Sequence, residues 1–219
     1  MRTALLAGLA SICLSFSAHA TQIIAFGQVS GSNTLTATAN GAGTATALST
    51  DTAVTITQLF GQVAPLSGFL DLSANSIDAA VGIGPALLQH YSGTFAVTSL
   101  AGGLGTNYLS GTFSDAAFGL ATGEQLSINV ASPPDTLALT SGVIPAADLV
   151  APSTFTLSLS NLLPALSLDN ATLASFTASY SGVASATTVA TPEPASLAVL
   201  GIGLLGLGMV AQRRRTNAP

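Results

Sequence analysis

The chain has 219 residues, 48% hydrophobic and only 6% charged, with nine acids, four basic residues and a formal net charge of −5. That length suffices for one ordinary domain with appendages, while so few charges exclude the charge-rich disordered class and fit a cytoplasmic enzyme poorly. All four basic residues are arginines at the chain ends (Arg2, Arg213, Arg214, Arg215), and residues 21–190 carry eight acids, so nucleic acid and anionic lipid are disfavoured partners for that surface.

In chain order, residues 1–20 come first. A positive start at Arg2, an apolar run over 4–16 and the small-x-small ending Ala18-His19-Ala20 together describe a cleavable secretory signal, with Thr21 as the first mature residue. Cys13 and His19 leave with it, so the mature protein has no cysteine and its stability rests on packing and backbone pairing. Residues 30–50 are small and rich in Gly and Thr, which fits long surface strands or a partly disordered arm.

Across residues 21–190 the pattern is one of short strands. Gln125-Leu126-Ser127-Ile128-Asn129-Val130, Ser153-Thr154-Phe155-Thr156-Leu157-Ser158-Leu159-Ser160 and Ser175-Phe176-Thr177-Ala178-Ser179-Tyr180 alternate apolar and polar residues, as a half-buried strand requires. Weaker strand signals lie at 53–57, 69–72, 93–97 and 136–139, and turn signals at Gly102-Gly103, Ser132-Pro133-Pro134-Asp135 and Asp169-Asn170 separate them. The stretch 77–90 breaks the alternation at Gly82, Gly84 and Pro85 and reads as a loop or one turn of helix. The tetrapeptide Ser-Gly-Thr-Phe occurs at 92–95 and again at 110–113, which suggests two paired strand starts joined by a Gly-rich loop at 101–106. The fold expected from this pattern is all-β, an antiparallel β-sandwich or jelly-roll-like ectodomain over 21–190.

Chemistry-bearing residues are scarce. A Ser-His-Asp arrangement would have to use His90, and no serine sits in a nucleophile elbow. Zinc-ligand spacing and a calcium-binding loop are both missing from the sequence, although Asp71, Asn75 and Asp78 could line an incidental calcium site. Glycoside hydrolysis needs two carboxylates about 5–9 Å apart, for which Asp71 with Asp78, or Asp115 with Glu124, are the candidates. Sugar stacking wants exposed Trp or Tyr, and the mature chain offers only Tyr91, Tyr108 and Tyr180. A Ser/Thr-rich sheet face can instead contact a polymer weakly and many times over. No catalytic residue, cofactor or metal is expected. Asn170-Ala171-Thr172 fits the N-glycosylation sequon, but the signal does not point to the compartment that reading presumes.

The tail follows from residue 191. Fifteen apolar or glycine residues, 197–211, precede Arg213, Arg214 and Arg215. As a helix they span roughly 22 Å against a hydrocarbon core of roughly 30 Å, so the anchor, at about 195–212, is marginal. The arginines are a cytoplasmic stop that leaves the acidic domain outside. Gly201, Gly203 and Gly206 satisfy the spacing of a dinucleotide-binding loop, but the chain ends too soon after them for the strand–helix–strand unit that loop requires.

Pro192-Glu193-Pro194, the glycine-rich apolar stretch and the terminal arginine cluster, in that order, resemble the PEP-CTERM sorting signal of Gram-negative bacteria. The resemblance covers about 25 residues. It implies that Pro192, Glu193 and Pro194 are recognised by an exosortase-type membrane protease, and that exopolysaccharide is a partner. The expected protein is exported across the inner membrane, held there transiently and then placed at the cell surface or outside. Its expected function is that of a non-catalytic surface or biofilm-matrix protein. The alternatives are a secreted polysaccharide-acting enzyme using paired carboxylates and a soluble carbohydrate- or ligand-binding module.

Overall fold

Alternation of Ser and Thr with Leu, Ile, Val and Phe gives an extended chain one apolar and one polar face, and in the computed structural model nearly the whole described chain is extended. The structure describes residues 20–29, 31–83, 86–119, 126–131 and 136–187. These fall in one compact unit, His19–Thr188. Residues 1–19 of the expected signal segment 1–20, and the sorting and anchor segment 191–215, lie outside the described residues.

The strands are β1 (Ala20–Gln28), β2 (Leu35–Ala39), β3 (Thr46–Leu59), β4 (Leu66–Ser76), β5 (Val81–Ile83), β6 (Ala86–Leu100) and β7 (Leu104–Gly119). They continue as β8 (Leu126–Ala131), β9 (Thr136–Thr140), β10 (Val150–Leu163), β11 (Leu168–Asp169), β12 (Thr172–Leu173) and β13 (Phe176–Thr187). All pairings are antiparallel, and β11 and β12 form a separate hairpin.

The remaining eleven strands form one sheet that closes on itself. β1 pairs β3, and the ladder proceeds through β4, β6, β7, β8, β10 and β13 before β13 returns to β1. Three positions of this barrel are shared by two strands each. β2 continues the line of β1 between β13 and β3, β5 the line of β4 along β6, and β9 the line of β8 along β7. The all-β antiparallel expectation holds, but the two sheets and crossover connections of a sandwich or jelly roll are replaced by one closed meander. The reason is strand length. β3, β6 and β7 run 14, 15 and 16 residues and pair with chain neighbours along most of that length, which leaves closure as the way to remove the sheet edges.

Every strand signal named above overlaps an observed strand, with Ser175 one residue before β13 and Gln125 outside the described residues. One segment differs from expectation, and a second takes one of the two forms expected of it. Residues 86–90 open β6, pairing with β5 over 86–88 and with β7 over 88–90, so the stretch 77–90 holds strand rather than a turn of helix. The Gly/Thr-rich stretch 30–50 supplies β2 and the start of β3.

The two Ser-Gly-Thr-Phe copies sit within β6 and β7, not at their starts, and they face each other: Gly93 opposes Phe113, and Gly111 opposes Phe95. A Cβ at Gly111 would stand 2.7 Å from the Phe95 ring, so the missing side chain is what seats that ring inside the barrel. Phe26 uses Gly182 in the same way, with a hypothetical Cβ only 2.2 Å from Cζ. Phe95 then stacks on Phe155 from β10, ring centroids 4.0 Å apart. An eight-position barrel has an interior just wide enough for side chains to fill, and these rings with Ile24, Leu70, Leu109 and Leu157 fill it.

One buried polar cluster joins the β11–β12 hairpin to the barrel. Gln89, fully buried, donates through Nε2 to the Asp78 carbonyl and to Thr172 Oγ1, both at 2.9 Å. Its Oε1 accepts from the Tyr91 hydroxyl at 3.1 Å and the Leu173 N–H at 3.2 Å. Thr46 Oγ1 pairs with Thr172 Oγ1 at 2.7 Å. Burial pushes the Tyr91 phenol well above its ordinary pKa, so it stays a neutral donor.

Two stability outcomes follow. Gly182→Ala overpacks the Phe26 site and is expected to cost about 1–3 kcal/mol in urea unfolding of the mature protein, against near-neutrality for the exposed change Thr36→Val. Gln89→Leu strands the Leu173 N–H and is expected to cost about 1–3 kcal/mol in the same assay.

Candidate functional site

Closure of the barrel fixes which side chains reach solvent. Inward positions are mostly apolar, and outward ones are mostly Ser, Thr, Asn and Asp, the reverse of the apolar band that a membrane-spanning barrel shows to lipid. Among the described residues no helix is long and apolar enough to cross a membrane.

Register aligns the outward residues into rows. Thr36 opposes Ser49, Ser49 opposes Ser73, Ser73 opposes Thr94, and Thr94 opposes Thr112. Five exposed hydroxyls therefore follow one another across β2, β3, β4, β6 and β7 at the strand spacing of about 4.8 Å. The adjacent row runs Asp51, Asp71, Ala96, Ser110, Thr140, and Ser110 and Thr140 bond each other at 2.8 Å. Between the rows lies an open groove of about 340 Å³ lined by Asp71, Thr94, Ser110, Thr112 and Thr140. The far wall repeats the theme with cross-strand pairs Thr154–Ser185, Ser158–Ser181 and Ser160–Ser179. Residues 21–190 hold no Lys or Arg, so these surfaces offer hydroxyls and scattered carboxylates and no cationic group to hold phosphate.

The expected carboxylate pairs are not brought together. Asp71 sits mid-strand in β4, and Asp78 lies seven residues on along extended chain, roughly 20 Å away, well beyond the separation that glycoside hydrolysis uses. That distance also separates the ends of the Asp71, Asn75, Asp78 set considered for calcium. Asp115 occupies a bulge of β7 opposite Ser92, with a left-handed φ of 61° that Asp tolerates. Its expected partner Glu124 lies outside the described residues.

Asp71 instead faces Asp51 across the β3–β4 pair, and both oxygens of Asp51 lie 3.2 Å from the Gly102 N–H. Sequence reasoning missed this pairing. Its signal was Gly61, the left-handed turn residue from which Asp51 and Asp71 are equally distant along the chain. Among the described residues no group of three or more His, Cys, Asp or Glu converges on a metal-sized site.

His90 is held by Asp78. One carboxylate oxygen accepts the His90 backbone N–H at 2.8 Å and the other pairs with Nδ1. Ile77 donates its N–H to the His90 carbonyl at 2.9 Å, so the pair pins the connection from β4 to β5 onto β6. Two of the three tyrosines expected in the mature chain are poor sugar platforms: Tyr91 is 0% and Tyr180 4% exposed, while Tyr108 is partly buried. Burial raises the Tyr180 phenol, and its hydroxyl bonds Thr52 at 2.5 Å. The sequon threonine, Thr172, is spent in the buried Gln89 cluster.

The expected start of the mature chain is described. Ala20 and Thr21 open β1, paired with Thr187 and Ala186 of β13. The other expected site residues, Ala18, Pro192, Glu193, Pro194, Arg213, Arg214 and Arg215, lie outside the described residues.

Comparison with known proteins gives a match at that same tail. No curated protein and no solved structure matches the chain. The family model of the PEP-CTERM protein-sorting motif matches residues 190–215, the span that holds the Pro-Glu-Pro element, the apolar stretch and the arginines. The chain carries a PEP-CTERM protein-sorting motif, and with it the signature of an exported protein that an exosortase, a membrane protease, processes.

Proposed function

We propose that the protein is a non-catalytic component of the cell surface or exopolysaccharide matrix, released to that place after its sorting segment is processed. The observation that carries this reading is the sorting motif at residues 190–215, because it commits the domain to work outside the cell. The row Thr36, Ser49, Ser73, Thr94, Thr112 supports a polymer as the partner. Each hydroxyl contact exchanges a water bond for a sugar bond and is worth little alone. Contacts repeated along one polymer and over many protein copies add by avidity, which a single deep pocket does not require. The domain's lack of cations fits a neutral sugar chain better than a densely anionic one.

The processing step has a physical logic as well. A roughly 22 Å apolar stretch interrupted by glycines is a weak permanent anchor. It suits a hold that keeps Pro192, Glu193 and Pro194 at the outer face of the inner membrane until the protease acts.

The reading is tested by mixing the mature protein with exopolysaccharide from the producing cells and sedimenting the polymer. The protein is expected to travel with the polymer and to leave its length distribution unchanged. Replacing the row together (Thr36→Val, Ser49→Ala, Ser73→Ala, Thr94→Val, Thr112→Val) is expected to lower the bound fraction severalfold without loss of fold. Polymer shortening that is abolished by Asp71→Asn, Asp78→Asn, Asp115→Asn or Glu124→Gln would establish the enzyme instead.

A further inference from the structure

The buried cluster that joins the β11–β12 hairpin to β6 brings together the parts of a reaction. Gln89, Thr46 and Thr172 are all fully buried. Thr172 Oγ1 stands 2.9 Å from Nε2 and 3.4 Å from Oε1 of the Gln89 amide, which places it roughly 3–4 Å from the amide carbon those two atoms share. A nucleophile held at about that distance from a carbonyl carbon is close to an attack geometry. The amide oxygen faces two donors, the Tyr91 hydroxyl at 3.1 Å and the Leu173 N–H at 3.2 Å, the arrangement that stabilises an oxyanion where charge develops. The amide nitrogen is also held by the Asp78 carbonyl at 2.9 Å, and Thr46 Oγ1, 2.7 Å from Thr172 Oγ1, fixes the attacking hydroxyl.

We propose that Thr172 and Gln89 become joined by an intramolecular ester bond. Thr172 Oγ1 adds to Cδ of Gln89, and the charge that collects on Oε1 meets the Leu173 N–H and the Tyr91 hydroxyl. Loss of amide resonance makes Nε2 basic, so it takes the Thr172 hydroxyl proton across the 2.9 Å contact. The C–N bond then breaks and ammonia departs. One C–O bond has replaced one C–N bond, the proton has left with the nitrogen, and nothing is oxidised or reduced.

Burial serves both the formation and the survival of this bond. A dry site strengthens the two hydrogen bonds to the developing oxyanion, and it keeps water from the ester once formed. Ammonia diluted into the surroundings does not return, so the step runs one way. The bond links β6 to the β11–β12 hairpin between residues 83 apart in sequence. A cross-link over so long a stretch restricts the unfolded chain as a disulfide does, which suits an exported domain whose residues 21–190 contain no cysteine. The ester is independent of the polymer-binding reading, because it involves no outward residue of the hydroxyl rows.

The test is mass spectrometry of the protein recovered from the producing cells, unfolded and cut on the N-terminal side of aspartate. The peptide 78–114, which holds Gln89, and the peptide that begins at Asp169, which holds Thr172, are expected to travel as one species. Its mass is expected to equal their sum less one ammonia, and hydroxylamine, which cleaves esters, is expected to separate them. Thr172→Ser, which keeps a hydroxyl, is expected to retain the link, and Thr172→Val, which keeps the shape without it, to abolish it. Tyr91→Phe removes one donor to the oxyanion and is expected to slow the appearance of the linked species severalfold. Separate peptides of unaltered mass from the wild-type protein would overturn the proposal. Loss of ammonia without linkage, as ring closure at Asn40-Gly41 would give, or a link that survives Thr172→Val, would overturn it equally.

Discussion

Glycine opposite phenylalanine is the constraint on which this barrel depends. The mature chain has no cysteine for a disulfide, and its one described ion pair, Asp78–His90, is half in solvent, so the filled interior has to hold the closed sheet together. Rings as large as Phe26 and Phe95 fit only because Gly182 and Gly111 give up the space of a side chain directly across the ladder. The Phe95–Phe155 stack then spans the interior between β6 and β10, strands that are not neighbours in the sheet. Adding one methyl group at such a glycine pushes a ring against the opposite wall, and a close-packed interior has no slack to absorb it.

Closure also orders events during export. Each hairpin can form as soon as it emerges, because the meander pairs chain neighbours. The barrel closes only when β13 meets β1, the last strand against the first. Closure therefore waits for the last strand, and the sorting motif begins soon after it, at residue 190. With β1 beginning at Ala20, the expected signal cleavage trims the edge of the first strand and spares its pairing beyond that point.

Much of this was legible in the sequence, and what was not has identifiable causes. The alternation at 126–130, 153–160 and 175–180 marks strands because half-buried strands have period two. Closure was not legible, because the same alternation suits one face of a sandwich and the inner face of a barrel. The stretch 86–90 misled because the glycines and proline before it mask a strand whose inward residues, Gln89 and Tyr91, are polar-tipped, with Gln89 satisfied by Thr172 and Leu173 far away in sequence. The Ser-Gly-Thr-Phe copies were visible as a repeat, but their meaning came from an antiparallel register that sets each glycine opposite the other copy's phenylalanine and leaves the Phe95 ring the space at Gly111. Among the acids, the pairs nearest in sequence were candidates, and folding instead brought Asp51 to Asp71 through a hairpin turn at Gly61. The sorting segment was the part most readable from sequence, since its three parts act through order and composition rather than through tertiary contact.

The central claim is that the working protein is the barrel without its terminal segments, and the intact mass of the protein recovered outside the cell tests it most directly. The account gives a chain that begins at Thr21 and ends close to Pro194. An extracellular chain that still carries Met1, or Arg213, Arg214 and Arg215, would contradict it.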